Sequence, residues 1–484
     1  MIGLGPRRAI SLASILGFAL VACRGETTSR PRVADERAAP PAAVEPGPSA
    51  DADGASQPPA LEPYKPPSSL GEPIEIRRTK RTRMVYADLD ERAAIRGRIP
   101  SKQSFEVFEK REGPGCSRAW ALVAAAAWIC LEHTEPSDVL PAPLPTLDDG
   151  ALLPFLYGRH EHHDVDSTPP IPAYASVSDA RAHAKPVEML PAYGSYAFTR
   201  YRPNNGDPLL TTIDRRVVRA AELTLFDPSE FGGRELDQAP IPAGQTLAWA
   251  IRWQTLIRVE RSAASDSVAR IKYHDTLLVA GEGVLGEDGE RWFEVPATQD
   301  HGRGWISDHD IGRFVPVPPP TPVRGGQITV DIDLDEQVLS VWLEAAPVFV
   351  TLISSGKRND ETPPGIYRIE NKRAYGKMQS TARARDPYYV DAVPWTMYFQ
   401  GRYALHAAYW HDMFGHRMSH GCVNLSPRDA RRVFELTSPT LPNGWLLIHE
   451  HPDDPGAVVR VRKANAPTPD VRGPLGVWSE DQAP

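Results

Sequence analysis

The sequence predicts a mainly β protein made of several small domains joined by proline-rich connectors. Short runs such as 104–108 (SFEVF) alternate polar and apolar residues, which is typical of half-buried strands. The runs 327–332 and 337–342 flank the turn-forming segment 333–336, so together they predict a β-hairpin. The 49 prolines concentrate before residue 80 and in later connectors, which is typical of stiff linkers between folded units.

The overall composition is that of an ordinary globular protein. The chain has 484 residues, of which 41% are hydrophobic and 24% are charged. At roughly 150 residues per domain, this length allows about three domains. The net charge of −8 carries no basic excess, so we expect no nucleic-acid partner.

The N-terminus has the pattern of an export signal. Arg7 and Arg8 precede an apolar stretch over 9–22, and Cys23 follows directly. The segment LVAC resembles a bacterial lipobox, which predicts a signal peptide over 1–22 and lipidation of Cys23. Arg24 after the cysteine favours the outer membrane, so we expect a periplasmic, lipid-anchored protein. The alternative is an ordinary secretory signal in which Cys23 falls by chance.

Two of the four cysteines are predicted to form a disulfide. Cys116 and Cys130 have no other assigned role, and an exported compartment allows them to pair. Such a bond would stabilise the fold by about 3 kcal/mol in the chain-entropy model. The alternative is a pair of free buried thiols.

A tryptophan pattern occurs twice upstream of the last domain. In both copies W-x-x-V is followed by W-I, first within 120–129 and again within 292–306. The pattern resembles bacterial SH3-like domains, small barrels with tryptophans in their late strands. Core aromatic residues of any all-β domain would give the same pattern.

The most informative segment holds a histidine, a glycine and a cysteine within a short stretch. His406 and Cys422 are separated by 15 residues, and the cysteine lies in the run SHGCVNL at 419–425. A thiol has a free pKa of roughly 8.5, so it needs a nearby base such as histidine to react as a thiolate at neutral pH. Gly421 allows the backbone beside the sulfur to approach a substrate closely.

This segment resembles the signature of the L,D-transpeptidase (YkuD) catalytic domain. Three earlier stretches resemble further landmarks of that family, namely the hairpin at 327–342, the strand and T-P-x-G segment at 349–367, and VPWTMYF at 393–399. The resemblance covers 325–449 and implies a β-sandwich catalytic domain with short helices. One helix should begin at Pro427, with Ser426 as its cap.

The resemblance also implies a role for each site residue. Cys422 would be the nucleophile, His406 the proton donor and acceptor, and the backbone amides of Gly421 and Cys422 an oxyanion hole. Ser419 and His420 would support the loop and the pocket. Asn424 stands where arginine is more frequent and is expected to contact the substrate. Ala407 follows His406 where the family usually has glycine or serine.

Metal binding is the main alternative for the histidines. Two groups are rich in potential ligands: the segment 159–164, and the set His406, His411, His416, His420 and Cys422. No second ligand group at motif spacing follows the first, and the second has the histidine spacing of structural zinc sites but only one sulfur. We therefore expect no metal and no other cofactor.

The predicted organisation comprises eight segments: a signal peptide (1–22), a disordered tether (23–75), an SH3-like β domain (76–136), a β-rich segment of unassigned role (137–240), a second SH3-like β domain (241–315), a proline linker (316–324), the catalytic domain (325–449) and a disordered tail (450–484).

The resemblance implies an enzyme of cell-wall biogenesis that acts on peptidoglycan stem peptides. It would release terminal D-alanine, form a thioester at Cys422 and make 3-3 cross-links. The alternatives are an L,D-carboxypeptidase, an enzyme that links or unlinks a protein and the wall, and a non-catalytic wall-binding scaffold. The sequence leaves the acceptor and the oligomeric state open.

Overall fold

The computed structural model describes residues 70–160, 168–202, 208–236, 238–319, 327–380 and 387–463. The predicted signal peptide, Cys23, most of the tether and residues 161–164 of the histidine-rich segment lie outside this range. Within it, no helix is both long enough and apolar enough to cross a membrane. The mainly β fold class is confirmed, because strands dominate every region and only two short α-helices are present in the described part of the chain.

The first region consists of short antiparallel strands with their apolar residues turned inwards. Its strands are β1 (Glu75–Thr79), β2 (Arg83–Tyr86), β3 (Ile95–Ile99), β4 (Ser104–Val107), β5 (Glu109–Arg111), β6 (Trp120–Ala124), β7 (Ala127–Cys130) and β8 (Thr134–Pro136). Cys116 and Cys130 form a disulfide, with their Cα atoms 5.7 Å apart. That separation is typical of a disulfide.

The second region is also β-rich. Its elements are β9 (Leu156–His160), β10 (Ile171–Ala173), α1 (Val177–Arg181), β11 (Glu188–Leu190), β12 (Gly194–Arg202), β13 (Leu209–Thr212), β14 (Val217–Arg219), a 3₁₀ helix (Ala220–Glu222), β15 (Leu223–Leu225) and β16 (Arg234–Glu235).

The third region forms a sheet of seven strands. Its elements are β17 (Gln245–Ala250), β18 (Thr255–Arg258), β19 (Ser267–Ile271), β20 (Thr276–Leu285), β21 (Arg291–Val295), β22 (Gly304–Ser307), a 3₁₀ helix (Asp308–Asp310) and β23 (Ile311–Arg313). Trp292 and Val295 of the repeated tryptophan pattern are buried there, as core residues would be. The SH3-like interpretation stays a prediction.

The last region carries the predicted site. Its elements are β24 (Ile328–Asp333), β25 (Val338–Leu343), β26 (Ala346–Leu352), β27 (Gly365–Arg368), β28 (Asn371–Gln379), β29 (Tyr389–Gln400), β30 (Tyr403–Ala407), β31 (Val423–Leu425), α2 (Pro427–Leu436), β32 (Leu447–His449) and β33 (Val458–Arg462). The predicted hairpin is present as β24 and β25, which pair antiparallel. The predicted helix is present as α2, whose cap Ser426 accepts a hydrogen bond from the Asp429 amide.

Two sheets sandwich the core of this last region. One has six strands in the order β16-β26-β25-β24-β33-β27, and the other contains β28 to β32. Buried side chains from both sheets and from α2 form one cluster, in which Val341 and Val459 meet Met397, Leu405 and Val433. Because Leu405 belongs to this cluster, the packing fixes one face of β30, the strand that carries His406.

Strands from the first two regions extend the second sheet. Gly97 of β3 pairs with Ile448 of β32, and Gly194 of β12 pairs with Tyr389 of β29. The upstream regions therefore continue the sheet that holds the predicted site.

The prediction of a disordered tail from residue 450 is wrong for its first part. Strand β33 (Val458–Arg462) lies inside the six-stranded sheet between β24 and β27, and it runs parallel to β24. Arg462 donates to the buried carboxylates of Asp331 at 2.9 Å and Asp333 at 2.8 Å. Buried charges need such partners, so the ion pairs help to hold this strand in the fold. Residues 464–484 lie outside the described range.

Candidate active site

Two short parallel strands bring the predicted site residues together. In β30 and β31, Leu405 pairs with Val423 and His406 pairs with Asn424. Leu405 and Val423 belong to the buried core cluster, so they point to one face of the sheet. Because side chains alternate along a strand, His406 and Asn424 point to the opposite face.

Cys422 directly precedes β31 and continues this register. Extending it by one residue sets Cys422 opposite Ala404, two positions before His406. Strand spacings of about 4.8 Å across and 3.3 Å along give a separation of roughly 8 Å between the Cα atoms of Cys422 and His406. The thiol and the imidazole can meet across this diagonal, because both lie on the same face.

The Cys422 thiol is half-buried and protonated in its resting contacts. Its Sγ donates to the backbone carbonyl of Arg402 at 3.6 Å. Burial raises the pKa of Cys422 to about 11, against the opposing effects of a hydrogen bond from the Ala404 amide and the charge of Arg402. A thiol with such a pKa is almost entirely neutral at pH 7.

His406 is a buried neutral base with a defined tautomer. It is 2% exposed, and burial lowers the pKa of its imidazole to about 4. Its Nδ1 lies 3.1 Å from the carbonyl oxygen of Ala407. A carbonyl only accepts, so Nδ1 carries the proton and Nε2 has the free lone pair. The backbone of Ala407 makes this contact, so alanine serves at this position.

The predicted loop residues form one hydrogen-bonded turn. Ser419 Oγ donates to the Cys422 carbonyl at 2.5 Å and accepts from the Gly421 amide at 3.0 Å. On the other side, Thr362 Oγ1 donates to the Gly421 carbonyl at 2.8 Å. The Gly421 amide, which was expected to line an oxyanion hole, is thus engaged with Ser419 Oγ inside the loop. It would have to share or leave that bond before it could stabilise an oxyanion.

Asn424 is buried and contacts His411, and its expected contact with the substrate stays a prediction. The side chain is only 3% exposed, and its amide group contacts His411 Nε2 at 2.9 Å. The register places it on the same face of the strand pair as His406, where its side chain packs against His411. His420 lies nearer the surface of the site, where its ring stacks on Tyr388 at a centroid distance of 5.2 Å.

Two connecting segments of the seven-stranded sheet contact the loop that joins His406 to Cys422. His416 Nε2 lies 2.7 Å from the carbonyl oxygen of Ile251, and the Tyr273 hydroxyl donates to the carbonyl of Phe414 at 3.3 Å. A Cβ added to Gly415 would lie 2.4 Å from the Ile251 side chain, which shows how close the two segments are. The loop is therefore fixed at both ends by strands and in the middle by a separate sheet.

In the described part of the chain, the histidines around Cys422 do not bring three ligand atoms close enough together to share one ion. There, the group with ligand atoms close enough to share an ion is Cys116, Cys130 and Glu132. The disulfide engages both of its sulfur atoms.

Sequence reasoning gave several of these residues no role. His411 was considered only as a metal ligand, although the run WHDMFG at 410–415 places it within reach of β31. Arg402 and Thr362 were also missed. Their contacts to the Cys422 loop are made through a backbone carbonyl and across distant segments, which residue patterns do not report.

The last region of the chain is similar to a known family. Residues 327–461 match the family described as the L,D-transpeptidase catalytic domain, YkuD. This range contains β24 to β31, α2 and every residue of the candidate site, and it extends past residue 449, where the predicted domain ended.

Solved L,D-transpeptidase structures also resemble the chain. A cysteine-to-serine mutant of the Enterococcus faecium enzyme is 22% identical over 28% of this chain and 50% of its own, with a TM-score of 0.23. The Mycobacterium smegmatis enzyme is 16% identical over 39% of this chain and 90% of its own, with a TM-score of 0.24. A Xylanimonas cellulosilytica structure is 26% identical over 30% and 64%, with a TM-score of 0.20.

The chain thus spans about half the length of the Enterococcus faecium protein. No curated protein sequence gives a significant match. The family match covers residues 327–461, which is less than half of the chain.

Replacing Gly421 by alanine should destabilise the loop. Gly421 has φ of 113°, and a Cβ there would lie 2.5 Å from Tyr403 Cε1. Strain of this kind costs about 1–3 kcal/mol before the clash is added. Denaturant titration should therefore give a lower free energy of unfolding for Gly421→Ala.

Gly401→Ala is the matched control. Gly401 has φ of 51° and no atom within 4 Å of an added Cβ, so only the backbone cost of about 1–2 kcal/mol applies. Equal losses for the two variants would show that the Tyr403 contact does not constrain the loop.

The alkylation of Cys422 by iodoacetamide should accelerate about tenfold per pH unit between pH 7 and 10. The reason is that the thiolate fraction grows in this proportion below a thiol pKa of about 11. Peptide mass spectrometry that follows the Cys422 peptide measures this rate. A rate that is level from pH 6 to 9 would instead indicate a preformed thiolate–imidazolium pair.

Proposed function

We propose that this protein is a cysteine-dependent L,D-transpeptidase that forms 3-3 cross-links between peptidoglycan stem peptides. The observation that carries the proposal is the position of Cys422 and His406 on one face of the β30–β31 pair. Both residues lie inside the range that matches the L,D-transpeptidase catalytic domain.

In the first half-reaction, Cys422 Sγ attacks the carbonyl carbon between diaminopimelate and the terminal D-alanine of a tetrapeptide stem. The thiol first turns from the Arg402 carbonyl towards His406, whose Nε2 lone pair accepts the proton. The C–S bond forms, the C–N bond breaks, and the same proton passes to the departing amine of D-alanine. A thioester at Cys422 remains.

In the second half-reaction, an amine of a neighbouring stem attacks the thioester carbonyl. His406 takes a proton from this amine and returns it to the sulfur as the C–S bond breaks. The product is an amide cross-link, and both side chains recover their neutral forms. A neutral thiol and a neutral imidazole are compatible with these reaction steps, because the buried site then carries no unpaired charge between turnovers.

In this proposal, backbone amides of the loop before β31 stabilise the oxyanion. Gly421 has a positive φ in the turn beside the sulfur, and we assign the oxyanion contact to the Cys422 amide. Arg402 supplies a nearby positive charge, which already lowers the pKa of the thiol against the effect of burial.

Incubation of the protein with a disaccharide-tetrapeptide should release D-alanine and produce a cross-linked dimer. Cys422→Ala should abolish both products, and His406→Gln should reduce them at least 100-fold, because general-base catalysis contributes about that factor. Liquid chromatography with mass spectrometry measures the products.

Arg428→Gln, a change at an exposed residue of α2, is the control and should leave the rate unchanged. D-alanine release that leaves only tripeptide would assign a carboxypeptidase instead. Unchanged substrate with the wild-type protein would contradict an enzymatic role and favour a wall-binding scaffold.

A further inference from the structure

His411 lies where the loop from His406 comes back towards β31. It is half-buried, with the ring of Phe414 at a centroid distance of 5.2 Å. Both of its ring nitrogens have polar neighbours. The Met413 amide donates to Nδ1 at 3.1 Å, and the Asn424 amide group lies 2.9 Å from Nε2.

These contacts define the tautomer of His411. Burial lowers the pKa of its imidazole to about 4, with the nearby His406 as a second cause, so the ring is neutral at pH 7. A neutral imidazole has one N–H and one acceptor nitrogen. Met413 N–H can only donate, so Nδ1 is the acceptor and Nε2 carries the proton.

The tautomer in turn determines the orientation of the Asn424 amide. An Nε2–H group needs an acceptor, so the Asn424 atom that faces it must be Oδ1. As placed in the structure, Asn424 Nδ2 lies 2.9 Å from Nε2 and Oδ1 is buried without a hydrogen bond, so exchanging the two amide atoms removes a donor–donor contact and gives Oδ1 a donor. Amide oxygen and nitrogen are told apart by their hydrogen bonds, and an unpaired buried oxygen costs about 1–3 kcal/mol.

Asn424 is well placed to transmit this constraint to the proposed catalytic pair. It lies directly opposite His406 in the parallel register and two residues after Cys422. Its backbone is fixed on the other side by two hydrogen bonds with Ser354, both of 2.9 Å. Only its side chain remains to be oriented, and His411 is the partner that does so.

We propose that His411 is a positioning residue. Through an Nε2–H···Oδ1 hydrogen bond it locks the Asn424 side chain beside His406 and thereby holds the imidazole in line with Cys422. This inference rests on the proposed function for its catalytic consequence, whereas the tautomer itself does not depend on that function. Neither residue needs to touch the substrate.

Four variants of the full-length protein test the catalytic consequence. His411→Gln keeps a donor for Asn424 and an acceptor for Met413 N–H, and Asn424→Asp keeps the acceptor oxygen. His411→Phe and Asn424→Leu keep size but lose the hydrogen bond. We expect kcat for D-alanine release to fall at most threefold in the two polar variants, His411→Gln and Asn424→Asp. In the two apolar variants, His411→Phe and Asn424→Leu, it should fall at least tenfold. KM should be unchanged in all four.

His309→Phe changes an exposed histidine in the same way and should leave kcat unchanged. Denaturant titration of each variant identifies any loss that comes from unfolding. Equal losses in the polar and apolar pairs at equal stability, or full activity in all four variants, would overturn the positioning role.

The tautomer is measured without any substrate. In protein with ¹⁵N-labelled histidine, two-bond ¹H–¹⁵N correlations at pH 7 should show His411 protonated at Nε2 only, with the signal assigned by its loss in His411→Gln. Protonation at Nδ1, or at both nitrogens, would overturn the inference. An inactive wild-type protein with the Nε2–H tautomer would contradict the proposed function and the positioning role, and would leave the tautomer assignment intact.

Discussion

The parallel pairing of β30 with β31 is the constraint on which the candidate site depends. Parallel neighbours cannot be joined by a tight turn, so the chain must leave the sheet after Ala407 and return at Cys422. The connecting loop is long for an unsupported segment, and it is held by contacts to the seven-stranded sheet and to Ser354 and Ser355. The core of the sandwich packs against the other face of β30 and β31 through Leu405 and Val423. The position of the site residues is therefore fixed by the packing of the whole region.

Burial sets the chemistry of this site more strongly than charge pairing does. The same desolvation raises the pKa of Cys422 and lowers that of His406, so both groups are neutral at rest. These two pKa shifts disfavour a thiolate–imidazolium pair at rest. Reactivity then requires that proton transfer to His406 accompany the attack of the sulfur.

Much of this arrangement could be predicted from residue patterns. The hairpin β24–β25, the cap and the start of α2, and the closeness of His406 to Cys422 all follow from local spacing or from the family resemblance. Strand β33 was missed, because its place in the sheet depends on ion pairs with Asp331 and Asp333 that lie about 130 positions earlier. The contact between Asn424 and His411 was also missed, because a sequence does not show which side chains meet when a loop returns to a strand.

The most direct test of the account is the mass of the intact protein after incubation with a tetrapeptide donor and no acceptor. The account predicts an adduct equal to the donor minus D-alanine, located on the Cys422 peptide and absent from Cys422→Ala. Release of D-alanine by the Cys422→Ala variant, or an adduct on a different residue, would contradict a thioester at Cys422 and with it the role assigned to the β30–β31 site.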